Sequence, residues 1–200
     1  MSALIAASAV TTQARINYPD TRRVDSVDTY FGTQVPDPYR WLEDDRSAET
    51  EAWVNAQNKV TQNYLSKISF RKDVKKRITE LANYEKMSAP FKVKDKFYFY
   101  KNNGLQNQSV LYGYDQNGNH KMVLDPNTLS DDGTVALQSI DFSNDGRYLA
   151  YVITRNGSDW NEIYVKDLKE DRVLDDHIVW AKFTDAQWLG DGFFYSGYDT

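Results

Sequence analysis

From Ala89 onward the chain breaks into short runs dense in β-branched and aromatic residues, each closed by a polar turn. "FKVKDKFYFYKN", "QSVLYGYD" and "KMVLDP" are separated by "NNG", "QNGN" and "DPN". Such runs predict strands joined by tight turns. The pattern returns as "VALQSIDFS", "RYLAYVITR", "NEIYVKDL" and "DRVLDDHI", linked by "NDG", "NGSD" and "KED". A third unit is expected to begin near Val179. "DFSNDGRYLAYV" resembles "QWLGDGFFYSGY", with Asp-Gly pairs at 145–146 and 191–192, 46 residues apart. Four-stranded units repeating every ~40 to 50 residues predict a β-propeller. A pair of stacked meanders in an ordinary sandwich is the competing architecture. A propeller closes with at least about four blades, whereas two units and the start of a third are present here. Leaving a blade face of about 400 Å² bare costs on the order of 10 kcal/mol. On this reading "SGYDT" ends where another strand is expected.

Ahead of the strands the periodicity is helical. Trp53, Val54, Val60, Tyr64, Leu65 and Ile68 predict a helix between Ser47 and Ile68, with Glu49 and Glu51 in its first turn, where the macrodipole favours anions. A second helix is predicted from Phe70, with Val74, Ile78 and Leu81 on one face. Two single stripes make a thin core, so both are expected to dock on another body. Before them, Pro19, Pro36 and Pro38 force extended backbone, and "TYFGTQV" predicts a short strand pair about Gly32.

Composition narrows the chemistry. Hydrophobic residues make up 40% and charged residues 26%, with 14 tyrosines, 9 phenylalanines and 5 tryptophans, which indicates a globular, β-leaning chain. A net charge of −5 argues against a nucleic-acid partner, and the basic run at Arg71, Lys72, Lys75, Lys76 and Arg77 reads as a solvated helix face. With no cysteine, disulfides, thiolate metal sites and a cysteine nucleophile are excluded. "MSALIAASAVTTQA" has the apolar, small-residue texture of a secretory leader ending before Arg15, but lacks a basic start and is too short to span a bilayer. A disordered or helical extension is the other reading. Export to the periplasm is therefore expected, with a cytoplasmic location as the alternative.

No two glycines stand four residues apart, so the nucleophile elbow is absent, as are the glycine-rich phosphate loops. His120 and His177 sit in no triad-like pattern and read as surface residues. "LEDD" and "LSDD" read as turn and cap residues, and "DFSNDGRY" lacks the calcium-loop spacing. In "NGSDW" a polar turn presents Asp159 beside Trp160 at a blade loop, where ligands are commonly met. A local turn cap at Asp159, with Trp160 packed between strands, is the plainer reading. In "WAKFTDAQW" Phe183 is free to be core or lining.

Taken together, "YPDTRR", "VPDPYRWLEDD", "AWVNAQN", "GLQNQSVLY", "LDPNTLSDDGTVAL", "NGSDW" and "GFFYSGYD" resemble the N-terminal part of the prolyl oligopeptidase family, in its bacterial, flavobacterial form, from Tyr18 to the end. The resemblance implies a mainly β fold: the first blades of a seven-bladed propeller, preceded by helices that pack on an α/β-hydrolase domain in the family. It divides the chain into residues 1–17, leader-like or disordered; 18–86, the helical segment belonging to the hydrolase half; and 87–200, blades one and two and the start of a third. It implies a serine peptidase acting on short proline-containing peptides, without cofactor or metal and without nucleic-acid or membrane partners, monomeric at full length. The family's Ser, Asp and His would lie beyond Thr200, so these residues contain no catalytic group and are expected to be inactive alone. Two substrate-binding residues carry over. Phe183 in "AKFT" matches the family's V-K-F-S phenylalanine that reaches into the substrate cavity, and Asp159 matches the acid of "GSDW", which can pair with an arginine from a later blade. In "DPYRWLEDD", Tyr39 and Trp41 are expected to bury while the acids stay wet. An oligopeptidase B-like enzyme cutting after basic residues and a non-catalytic propeller binding module are the rival functions.

Overall fold

The computed structural model describes residues 16–115 and 117–198. The leader-like run at 1–14 and the final residues of "SGYDT" lie outside them. The chain forms two compact units, one through Lys76 and the other from Arg77.

In the first unit, β1 (Val27–Tyr30) and β2 (Thr33–Pro36) form the expected hairpin. Phe31 and Gly32 both take left-handed backbone (φ 51° and 83°), which gives a two-residue loop whose twist suits paired strands. A short 3₁₀ turn (Arg40–Glu43) leads to α1 (Ala48–Leu65). Ser47 caps α1, its hydroxyl accepting from the Thr50 N–H at 3.1 Å, and Glu49 and Glu51 occupy the first turn. The segment around "DPYRWLEDD" is held by hydrogen bonds more than by burial. Arg40 ties Asp37 (2.6 Å) and Asp28, and the Trp41 indole donates to the Arg22 carbonyl at 2.9 Å. The Trp53 indole donates to Thr21 Oγ1 at 2.9 Å. Trp41 is half-buried. Tyr39 is exposed, contrary to expectation, because its ring lies 5.4 Å from the Arg23 guanidinium rather than in a core. Nor is Asp37 merely wet, since Arg40 draws its carboxyl below the ordinary range.

The second helix, α2 (Arg71–Ala82), carries the unit boundary and has no buried residue. Its stripe of Val74, Ile78 and Leu81 is exposed, as are Val54 and Tyr64 of α1.

The second unit is a series of antiparallel meanders. In the first blade β3 (Lys86–Met87) and β4 (Phe91–Val93) pair in turn with β5 (Lys96–Asn102), followed by β6 (Val110–Tyr114) and β7 (His120–Leu124). The second blade runs β8 (Val135–Phe142), β9 (Tyr148–Arg155), β10 (Asn161–Asp167) and β11 (Arg172–Ala181) in spatial order. A hairpin of β12 (Gln187–Leu189) and β13 (Gly192–Phe194) opens the third. β11 continues through Ala181, so Val179 is still in the second blade: register shifts along its pairing with β10 let one strand run on for 10 residues. In the third hairpin the left-handed glycine is Gly190 (φ 61°) rather than Gly192, because only residues 190–191 join β12 to β13, whereas residues 143–147 join β8 to β9, where Gly146 takes φ 74°.

The core explains the stacking. Leu149, Tyr151 and Ile153 of β9 pack with Val135 against Tyr98, Leu111 and Leu124 of the first blade. The intervening Ala150 and Val152 pack with Ile163, Ala181 and Ala186 and meet Trp188 and Phe193 of the third hairpin. Alternation along one strand thus supplies two cores, one per face. Three sheets stacked in succession distinguish this arrangement from a two-sheet sandwich. The β10–β11 turn is fixed by Asp167, which is buried yet accepts from Arg147 at 2.8 and 3.2 Å and from the N–H groups of Lys169 and Glu170. The Arg147 bond leads, and with the backbone donors it outweighs burial and holds the carboxyl at about 2.

Candidate functional site

Strand direction alternates in a meander, so the β9–β10 turn, the start of β8 and the exit of β11 fall at one end of the second blade. That topology places Asp159 and Phe183 together. Both line one cavity of about 480 Å³, with Gln138, Thr154, Asn161 and Asp185 in its wall. Gln138 is turned there by a bulge between Leu137 and Ser139 on β8.

The Asp159 loop is built from within. Asn156 and Gly157 are both left-handed (φ 54° and 71°), and the Ser158 N–H closes the turn onto the Arg155 carbonyl at 2.9 Å. The buried Thr154 hydroxyl reaches the carbonyls of Ser158 and, at 3.3 Å, Trp160. Ser158 Oγ, not Asp159, accepts from the Trp160 N–H, at 3.1 Å. The Asp159 carboxylate therefore points outward, 66% exposed, and faces Lys182 Nζ at 3.5 Å. Trp160 packs edge-on to Trp180 and Tyr198, at 5.2 and 5.4 Å.

Phe183 is 79% exposed and takes left-handed backbone (φ 51°), as does Trp180 (φ 58°). A phenylalanine in this conformation is strained by roughly 1–3 kcal/mol and needs its surroundings to hold it there. They do: Tyr198 N–H donates to the Trp180 carbonyl at 3.0 Å, Lys182 N–H to Ser196 at 3.4 Å, and Ser196 N–H to Thr184 Oγ1 at 2.8 Å. Lys182 joins the two loops. Its ammonium lies 5.1 Å from the Trp160 ring and 5.1 Å from the Phe183 ring, besides facing Asp159. The arrangement offers an aromatic shelf beside a carboxylate, suited to holding a ligand.

The structure brings Asp159 and Phe183, singled out in the sequence, to one cavity, and sets beside them Gln138, Asp185 and Lys182, which the sequence did not single out. Lys182 adjoins Phe183 in "AKFT", yet nothing in the string tells that its amine returns to the earlier loop.

The two histidines lie elsewhere. His120 packs edge-on to Phe99 at 4.6 Å, and His177 stacks on Tyr164 at 4.4 Å with Nε2 3.0 Å from Glu162 Oε2. Glu162 also accepts from Arg155 at 2.7 Å and the Tyr164 hydroxyl at 2.6 Å. Burial pushes the Glu162 carboxyl up, but these bonds overcome it and bring it from an ordinary 4.5 to about 2. His177 is thus part of a cross-strand network rather than a plain surface residue. Among the described residues no group of three or more acidic or histidine side chains is arranged to hold a metal, and no helix is long and apolar enough to cross a membrane.

Comparison with known proteins gives a consistent result. Residues 19–200 match the family described as prolyl oligopeptidase, N-terminal beta-propeller domain. The chain is 51% identical over 185 residues to a prolyl endopeptidase of Elizabethkingia miricola, covering 92% of this chain and 26% of the relative. It is 36% identical over 210 residues to prolyl oligopeptidase A of Amanita bisporigera, covering 90% and 28%. Among solved structures, a prolyl endopeptidase analysed for inter-domain dynamics superposes with a TM-score of 0.76 at 34% identity, over 92% of this chain and 28% of that one. Prolyl oligopeptidase B from Galerina marginata, bound to a 35mer hydrolysis and macrocyclization substrate, gives 0.72 at 34% identity, over 93% and 30%. The chain spans about a quarter of the length of the curated flavobacterial relatives it matches. By sequence match, blade topology and superposition alike, it belongs to the prolyl oligopeptidase N-terminal β-propeller family.

Proposed function

We propose that this chain is the substrate-filtering propeller of a serine-type endopeptidase that hydrolyses short peptides on the carboxyl side of proline. Acyl transfer would use a Ser-His-Asp constellation supplied outside residues 1–200. The observation that carries the reading is the 51% identity to a prolyl endopeptidase across nearly the whole chain. The shared cavity of Asp159 and Phe183 supports the local roles: Phe183 is a shelf for a peptide side chain away from the bond that breaks, and Asp159 gives that shelf a charged rim. Burying one apolar side chain on the shelf is worth about 1.5–3 kcal/mol of binding without changing the chemistry.

The test uses the longer polypeptide that carries this chain. Reporter peptides with proline at the cleaved position are turned over, and those with arginine are not; preference for arginine would indicate an oligopeptidase B-like enzyme, and turnover of neither a binding module. Phe183→Ala raises KM for extended peptides about tenfold or more and leaves kcat near its original value. Export to the periplasm belongs to the same reading and rests on the apolar leader-like run; mass spectrometry that finds Met1 intact on the mature protein counts against it.

A further inference from the structure

We propose that Lys182 is a positioning residue that sets the aim of Phe183 by clamping the β11–β12 loop to the β9–β10 turn. The inference rests on the proposed role of Phe183 and goes beyond it. Phe183 projects into solvent from a strained backbone, and its own ring has no aromatic partner among the described contacts, so neither burial nor stacking fixes its direction. The hydrogen bonds to Ser196 and Tyr198 hold the backbone of its loop but do not reach the ring. Lys182 is the side chain that does. Its ammonium sits 5.1 Å from the Phe183 centroid, 5.1 Å from the Trp160 centroid and 3.5 Å from Asp159 Oδ2. It is 24% exposed, so its stem is packed against the loops and its charge is partly removed from water, where a cation over a ring counts for more. Trp160 is in turn anchored by Trp180 and Tyr198. A rigid aromatic cluster therefore holds the cation, and the cation holds the exposed ring. The same contacts give Asp159 a partner within its own blade.

The experiment is steady-state kinetics on the longer polypeptide carrying this chain, with a minimal proline reporter and an extended peptide reaching several residues further toward its N-terminus. Lys182→Met keeps the stem and removes the charge. It is expected to raise KM for the extended peptide about three- to tenfold, with kcat within about twofold and the minimal reporter unaffected. Lys182→Arg, which retains a cation able to stack on both rings, is expected to restore KM. In a Phe183→Ala background Lys182→Met is expected to change nothing further, since it acts through that ring. Should the methionine variant not fold, Lys182→Gln gives the same comparison. If Phe183→Ala raises KM and the Lys182 variants do not, the positioning role is wrong while the shelf stands. Equal effects on both substrates, or full additivity with Phe183→Ala, would mean a structural role and also overturn it. A Phe183→Ala enzyme with unchanged KM removes the shelf itself, and with it this inference.

Discussion

Glu162 shows how a residue that looks like ordinary strand polarity becomes a strong local determinant. In "NEIYVKDL" it is simply the polar half of an alternation, and Arg155, Tyr164 and His177 stand 7, 2 and 15 residues away. Tyr164 shares its face of β10, but only the β9–β10–β11 register brings Arg155 and His177 to it, and register is not written in any one strand. Because the folded carboxyl titrates near 2 against an ordinary 4.5, its stabilisation is complete above about pH 4.5 and is lost as pH falls toward 2. Asp167 contributes in the same window by the same sign, from an ordinary 3.8 to about 2. Glu162→Gln is therefore expected to cost about 1–3 kcal/mol at pH 7 in denaturant titrations and to make the acid-side decline shallower without abolishing it. An unchanged acid limb would refute the assignment. On the alkaline side, burial and then Tyr164 raise the Tyr151 hydroxyl from an ordinary 10 to about 12, so its contribution is present below pH 10 and is lost as pH rises through 12. Of the residues gathered at the candidate site, Asp159 and Phe183 were singled out in the sequence because a motif surrounds each. Those defined by contact across loops, Lys182 and Gln138, were not.

At the scale of elements, strands, hairpins and helix positions followed from periodicity and turn chemistry, because each is set by neighbours in the sequence. Phe31–Gly32, a two-residue hairpin loop, and Asn156–Gly157, the central pair of the turn that opens the longer β9–β10 loop, are examples in which both positions are left-handed. Limits that depend on pairing were missed, as with β11, whose bulges carry it to Ala181. Two glycines separate strain from crowding. At Gly146 (φ 74°) a methyl group would meet only side-chain carbons at 3.6 and 3.8 Å, so Gly146→Ala is expected to cost about 1 kcal/mol from backbone strain alone. At Gly104 (φ 125°) it would come within 2.7 Å of Asn83 Oδ1 and 3.0 Å of the Tyr84 nitrogen. Backbone cannot yield as a side-chain tip can, so Gly104→Ala is expected to cost at least about 1 kcal/mol more than Gly146→Ala. Thermal unfolding of the two variants compares them directly, and equal midpoints would contradict the crowding.

For the whole molecule, the repeat length pointed to a propeller segment, and the successive antiparallel meanders bear that out, while the apolar stripes of α1 and α2 stand exposed. The order of the sheets within the second unit could not be read from repeats alone, since a sandwich uses similar strands; it is decided by β9, which contributes Leu149, Tyr151 and Ile153 to one core and Ala150 and Val152 to the next. A party wall of this kind belongs to two rooms at once. Freeing its amide hydrogens requires both adjoining seams to part, so deuterium uptake should reach β9 last and the edge strand β11 well before it. Uptake at β9 as fast as at β11 would show that the seams open independently.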